Sequence, residues 1–137
     1  VDGVPLLLLT ADRPPELRDT GANQTIDQVK IFGDYVRWQV DVPPPSDKID
    51  PAYVLTTANQ AVHRTTRTPA GPVHVNCMFR KPLEPVEAEE SLSVSASVTA
   101  WAEGTDPYTQ YPTPVSTPPG VGGAEGRRGV CRLPTSY

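Results

Sequence analysis

The apolar run Val4–Thr10, with four consecutive leucines at its centre, constrains the fold more than any other feature. It has the length of a strand and no polar alternation, the pattern of a parallel strand buried on both faces. Pro5 is tolerated only near its start. Arg13-Pro14-Pro15 ends the run, and Pro15-Glu16-Leu17-Arg18 suits one helical turn. Ile26, Val29 and Phe32 or Gly33 lie at helical spacing and predict a short helix over 26–35. Val36–Val42 alternates Val36, Trp38, Val40 and Val42 with Arg37, Gln39 and Asp41, which predicts a strand with one covered face. Pro43-Pro44-Pro45 stops it. Asp50 then offers an N-cap, with Pro51 at the first helical position. Val54, Leu55, Ala58, Ala61 and Val62 follow at helical spacing, so Pro51–Thr66 reads as an amphipathic helix. After the turn Pro69-Ala70-Gly71-Pro72, Val73–Cys77 reads as a third, short strand.

Strands alternating with helices specify an α/β fold with a parallel sheet. Residues 1–86 supply only about three strands, whereas parallel sheets need helices on both faces. Alone, they would leave apolar strands bare. The expectation is therefore the later part of a larger doubly wound domain. The opening Val-Asp-Gly-Val carries no visible targeting leader and reads as the interior of a longer sequence.

Near residue 86 the composition changes. Residues 87–137 hold 6 of the 17 prolines and 6 of the 10 glycines, with only 7 Leu, Ile, Val or Phe among 51 residues. Such a segment has too little apolar surface to pack a core, so it reads as a mostly disordered tail. Its one candidate element is a weak strand at Ser91–Ala100, where Leu92, Val94, Ala96 and Val98 alternate with Ser and Thr.

With 12 basic and 16 acidic residues, a net charge of −4, the chain lacks the basic surface of a nucleic-acid binder. No apolar run approaches the roughly 20 residues of a membrane span. Cys77 and Cys131 are too few for a disulfide framework, which points to a reducing compartment. Cys77 reads as a buried strand thiol; Cys131 lies near Arg127, Arg128 and Arg132. His63 on the helix and His74 in a strand have no Cys or carboxylate at metal-ligand spacing, so no metal site is expected. Trp38 and Trp101 read as packing residues. No P-loop, G-x-G-x-x-G, G-x-S-x-G or C-x-x-C occurs.

Open α/β sheets bind ligands beyond the carboxyl ends of their strands. The first strand leads there into Asp12-Arg13, and then into Gly21-Ala22-Asn23-Gln24. Gly21 can adopt positive φ and turn the chain sharply. Arg13 offers a planar fork for a carboxylate, and Asn23 and Gln24 offer carboxamides. The cluster could hold a small anionic molecule. The same residues would also serve a structural loop, with Asp12 pairing Arg13 and the amides closing the turn.

The stretch from Pro5 to Gln28, P-L-L-L-L-T-A-D-R-P-P-E-L-R-D-T-G-A-N-Q-T-I-D-Q, closely resembles one enzyme family, and so does Gly71–Leu83, G-P-V-H-V-N-C-M-F-R-K-P-L. That family is 2-succinyl-5-enolpyruvyl-6-hydroxy-3-cyclohexene-1-carboxylate (SEPHCHC) synthase, the thiamine-diphosphate-dependent transferase of menaquinone and phylloquinone biosynthesis. The resemblance covers residues 1–86 and implies the later part of an N-terminal pyrimidine-binding domain. It implies decarboxylation of 2-oxoglutarate and addition of the succinyl carbanion to isochorismate, with thiamine diphosphate and Mg2+ or Mn2+ bound by the complete enzyme. By resemblance Gln24 is catalytic, beside the cofactor-bound intermediate, and Arg13 and Asn23 contact substrate. The family's activating Glu and its diphosphate–metal motif have no counterpart here, so the missing domains or a second subunit would complete the site. Lys81 stands where the family usually has an acidic residue. The Pro-rich connection and Val54-Leu55-Thr56-Thr57 look more like plant and algal members than bacterial ones, which implies a plastid; a bacterial origin implies the cytoplasm. The alternative is an inactive α/β subunit that pairs with, or regulates, a full-length synthase.

Overall fold

A computed structural model describes residues 3–84 and 94–112. Strands β1 (Leu7–Asp12), β2 (Trp38–Val42) and β3 (Val73–Met78) form a parallel sheet in the order β1-β3-β2. Helix α1 (Pro51–Thr66) links β2 to β3, and α2 (Ala96–Ala102) follows later. The expected α/β class with a parallel sheet is thus present.

The start of α1 follows its sequence signals. The Asp50 carboxylate accepts from the Ala52 N–H at 2.8 Å, and Pro51 occupies the first turn. Its buried stripe is not the expected one. Thr57, Ala61 and Thr65 face the sheet, while Val54 and Val62 are exposed. Small residues at i, i+4 and i+8 let the helix lie close on Val73 and Val75, with Trp38, Val40, Val42 and Cys77 around them. Close approach outweighs apolarity here, because Thr65 satisfies its hydroxyl by donating to the Gly71 carbonyl at 2.6 Å. The Arg64 guanidinium lies 5.1 Å from the centroid of the Trp38 ring, so Trp38 packs as expected.

Three further expectations are corrected. The first strand begins at Leu7 rather than Val4 and is not buried on both faces. Its register with β3 puts Leu7 and Leu9 on the α1 side, but the cluster under α1 is built from β3 and β2 side chains, and Leu9 is 68% exposed. Residues 26–35 form turns and a 3-10 turn, Gly33–Tyr35, rather than a helix, and Lys30 and Gly33 take positive φ. The described part of Ser91–Ala100 is helical, not extended: Ser95 takes the N-cap position, Ala96 and Ala100 favour helix, and Val98 is buried. The segment after α2 rests on α1. The Thr109 N–H donates to Asn59 Oδ1 at 2.8 Å, and the Tyr111 ring stacks on His63 at 3.9 Å. Cys131, Arg127, Arg128, Arg132 and the rest of the proposed tail lie outside the described residues.

The sheet face away from α1 is polar. Leu8, Thr10 and Asp12 of β1 stand beside His74, Asn76 and Met78 of β3 and Gln39 and Asp41 of β2. The Asn76 amide donates to Asp12 Oδ2 at 2.9 Å and to Asp41 Oδ1 at 2.8 Å. Its oxygen therefore accepts the Thr10 hydroxyl, 2.8 Å away. That hydroxyl has one proton, so at 2.8 Å it accepts from His74 Nε2–H. His74 is thereby the Nε2–H tautomer. It is 1% exposed, its Nδ1 has no partner among the described residues, and the Phe32 ring packs against it at 4.8 Å in an edge-on geometry. Burial holds the His74 pKa down, with the Asp41 charge acting in the opposite sense.

Two expected outcomes follow from this packing. A Cβ on Gly71 would collide with Cδ of the Arg37 side chain. The Arg37 guanidinium caps the end of α1 by donating to the Arg67 carbonyl at 3.1 Å. Gly71→Ala should cost about 1–3 kcal/mol in urea denaturation, and less in an Arg37→Ala background, giving a coupled double-mutant cycle. The depressed His74 pKa means that the unfolded chain takes up a proton first as pH falls. Stability should be full above the ordinary value of 6.5 and decline below it. Thermal melts from pH 7.5 to 5 should show that decline, and His74→Gln should reduce it.

Candidate functional site

Beyond the carboxyl end of β1 the chain turns through Pro14 into the 3-10 turn Pro15–Leu17 and then reverses twice. Asp19 and Gly21 take positive φ, at 56° and 70°, as does Gln24 at 57°. The expectation for Gly21 is met: only glycine adopts that conformation without steric cost. These reversals bring Gln24 back over the strand end. Arg13 and Gln24 line one cavity of about 250 Å3 together with Ala11, Asp12, Ile26, Gln28, Phe79 and Leu83. Asn23 is not in that wall. Its carboxamide is exposed, and its backbone carbonyl accepts from Arg13 Nη2 at 3.0 Å. Two of the three site residues read from the sequence thus share a hollow, and the third anchors the arginine through its main chain.

Asp12 organises this corner. Its carboxylate accepts from the Arg13 N–H at 2.7 Å, from Arg18 Nη2 at 3.2 Å and from the Asn76 amide at 2.9 Å. Burial pushes the Asp12 pKa up, but its hydrogen bonds, led by that from Asn76, outweigh burial and hold it below 3.8. The carboxylate is anionic at neutral pH and almost wholly enclosed, with a side-chain exposure of 2%. Sequence reading paired Asp12 with Arg13, and that contact exists through the Arg13 main chain; the guanidinium on Asp12 belongs to Arg18. The Arg13 fork remains beside the hollow, held only by the Asn23 carbonyl among the described residues.

Further contacts hold the walls. The Gln28 side chain donates to the Ala11 carbonyl at 2.8 Å. Arg80, after β3, makes a bidentate pair with Glu16 at 2.6 and 3.0 Å, joining the loops that follow β1 and β3. Asn76, Asp41 and Thr10 were not singled out from the sequence. The available signal was polar residues within strands, Thr10 in β1 and Asn76, with His74, in β3.

A larger cavity of about 690 Å3 lies beyond the ends of β2 and β3, between the β2–α1 connection and α2. Its wall is apolar and includes Val42, Tyr53, Val54, Cys77, Phe79 and Trp101. Burial pushes the Cys77 thiol pKa up, which disfavours its thiolate. Phe79 belongs to the walls of both cavities.

Among the described residues no three His, Cys, Asp or Glu side chains are grouped to hold a metal ion. No described helix is long and apolar enough to cross a membrane.

No protein-family model matches the chain. Individual proteins do. It is 81% identical over 120 residues, 88% of its length, to the 2-succinyl-5-enolpyruvyl-6-hydroxy-3-cyclohexene-1-carboxylate synthase of Salinibacter ruber, and covers 20% of that protein. It is 59% identical over 110 residues, 80% of its length, to the synthase of the same name from Rubrobacter xylanophilus, covering 18% of it. To the chloroplastic protein PHYLLO of Arabidopsis thaliana it is 46% identical over 110 residues, 80% of its length, covering 6% of that longer chain. Two sequence expectations are corrected by these matches. An aligned length of 120 residues cannot fit within 1–86, so the likeness runs at least 34 residues further. The leaning toward plant members also fails, because the two bacterial proteins are the more similar. The chain spans about a fifth of the length of the synthases it matches and is, over most of its own length, related to one segment of the SEPHCHC synthase family.

Proposed function

We propose that this chain is a segment of a SEPHCHC synthase that forms a substrate-side wall of the active site. The observation that carries the reading is the shared hollow of Arg13 and Gln24 beyond the carboxyl end of a parallel strand. Arg13 is proposed to hold a carboxylate of 2-oxoglutarate or isochorismate, with the Asn23 main chain steadying the arginine, and Gln24 to stand beside the reacting atoms. Ile26, Phe79 and Leu83 supply apolar contact for the carbon skeleton. The reaction proposed for the complete enzyme is decarboxylation of 2-oxoglutarate and transfer of the remaining four-carbon unit to isochorismate. Thiamine diphosphate, with Mg2+ or Mn2+, would supply the electron sink for that step.

The donor set here fits an acidic substrate and not the diphosphate–metal end of such a cofactor: an arginine and carboxamides line the hollow, and no metal-ligand cluster occurs among the described residues. This chain's own contribution is to bind and orient. The Arg13 fork neutralises a carboxylate and fixes its plane. The Gln24 amide can donate to one oxygen and accept from another, which orients a substrate without a change of charge.

A second reading, an inactive α/β subunit that pairs with a synthase, has one observation in its favour. Leu7 and Leu9 are 37% and 68% exposed on one face of the edge strand, an apolar strip able to meet a partner. A segment of a larger sheet would present the same strip, so the first reading needs no additional partner to explain it.

Titration of the chain with 2-oxoglutarate and with isochorismate, followed by side-chain NMR of arginine and glutamine, tests the reading. The resonances of Arg13 and Gln24 should move. Arg13→Ala should weaken binding by about 10- to 100-fold, the loss of a charge-assisted pair. Unmoved resonances, or equal affinity in Arg13→Ala, would remove these residues from a substrate site.

A further inference from the structure

We propose that Asn76 is a positioning residue for Arg13, acting through Asp12; the substrate side of this inference rests on the reading above.

Asn76 lies in the central strand and is 1% exposed. Both of its N–H groups go to carboxylates, Asp12 on one neighbouring strand at 2.9 Å and Asp41 on the other at 2.8 Å. Its oxygen takes the Thr10 hydroxyl at 2.8 Å. Each donor is used, and the direction of each bond is set by the others. An Asp at position 76 would place a third carboxylate against two, and a Leu would leave both without the amide. A side chain needed only to fill space would not require this chemistry.

The arrangement leads to the hollow by a short route. Asp12 Oδ2 receives Asn76 and Arg18, which leaves Oδ1 aimed at the Arg13 N–H, 2.7 Å away. That bond fixes the main chain at the residue whose side chain lines the cavity. The Arg13 guanidinium is then held at its far end by the Asn23 carbonyl at 3.0 Å. Arg13 is therefore gripped at both ends, and Asn76 governs the inner grip. A two-point hold removes rotamer freedom before a carboxylate arrives, so less freedom is lost on binding.

Asn76→Ser in this chain, checked for folding by circular dichroism, tests the proposal. Amide exchange at Arg13 should speed up by about tenfold relative to Ala61 of α1, the loss of one charge-assisted bond. The Asp12 carboxyl should titrate at higher pH by NMR, and 2-oxoglutarate should bind more weakly. Asp41→Asn, which leaves the Asp12 branch intact, should move the Arg13 exchange far less. Should Asn76→Ser not fold, Thr10→Val removes the hydroxyl that orients the amide and should change the same readouts in the same direction. A folded variant with unchanged Arg13 exchange and unchanged Asp12 titration overturns the proposal. Failure of the unaltered chain to bind 2-oxoglutarate would count against the substrate reading alone, since exchange and titration are read without ligand.

Discussion

One neutral carboxamide ties the three strands together on the polar face of the sheet. Asn76 bridges Asp12 of β1 and Asp41 of β2 from the strand between them. Two buried or half-buried carboxylates on the strands either side of β3 would repel each other and resist leaving water. An amide that gives one proton to each stabilises both without adding charge. Arg18 supplies the cation that Asp12 still needs. The opposite face obeys ordinary apolar packing under α1. The sheet is thus held by hydrophobic contact on one side and by a directional network on the other.

That division explains why the site stands where it does. The network is richest at the carboxyl ends of the strands, and the loop after β1 grows out of it through the Asp12–Arg13 contact. The Glu16–Arg80 pair braces the same loop against the chain leaving β3. Loops carry binding residues because a rigid scaffold places them. Here the scaffold ends in hydrogen bonds whose directions are set, and the arginine and glutamine follow from that.

The parts legible in the sequence were those with a local cause. Asp50-Pro51 announced the start of α1, because capping and proline chemistry act within a few residues. The alternation at Val36–Val42 and the short stretch Val73–Cys77 after its turn marked two strands, and Gly21 marked a reversal. Arg13 and Gln24 were legible as polar residues after a strand end. What remained hidden depended on neighbours distant in the chain. The stripe of α1 that packs inward is set by how close the sheet lies, so Thr57 and Thr65 went in while Val54 and Val62 stayed out. Thr10 and Asn76 are 66 residues apart, and only parallel register makes them partners. The period-two pattern at Ser91–Ala100 misled because serine and alanine fit strand spacing by accident, while the N-cap serine and the burial of Val98 against α1 favour a helix.

Phe79 forms part of the wall of both the polar hollow and the larger apolar cavity. A ring shared by two chambers cannot turn for one without reshaping the other. A rotation of Phe79 that makes room in the greasy chamber would therefore also change the room around the arginine.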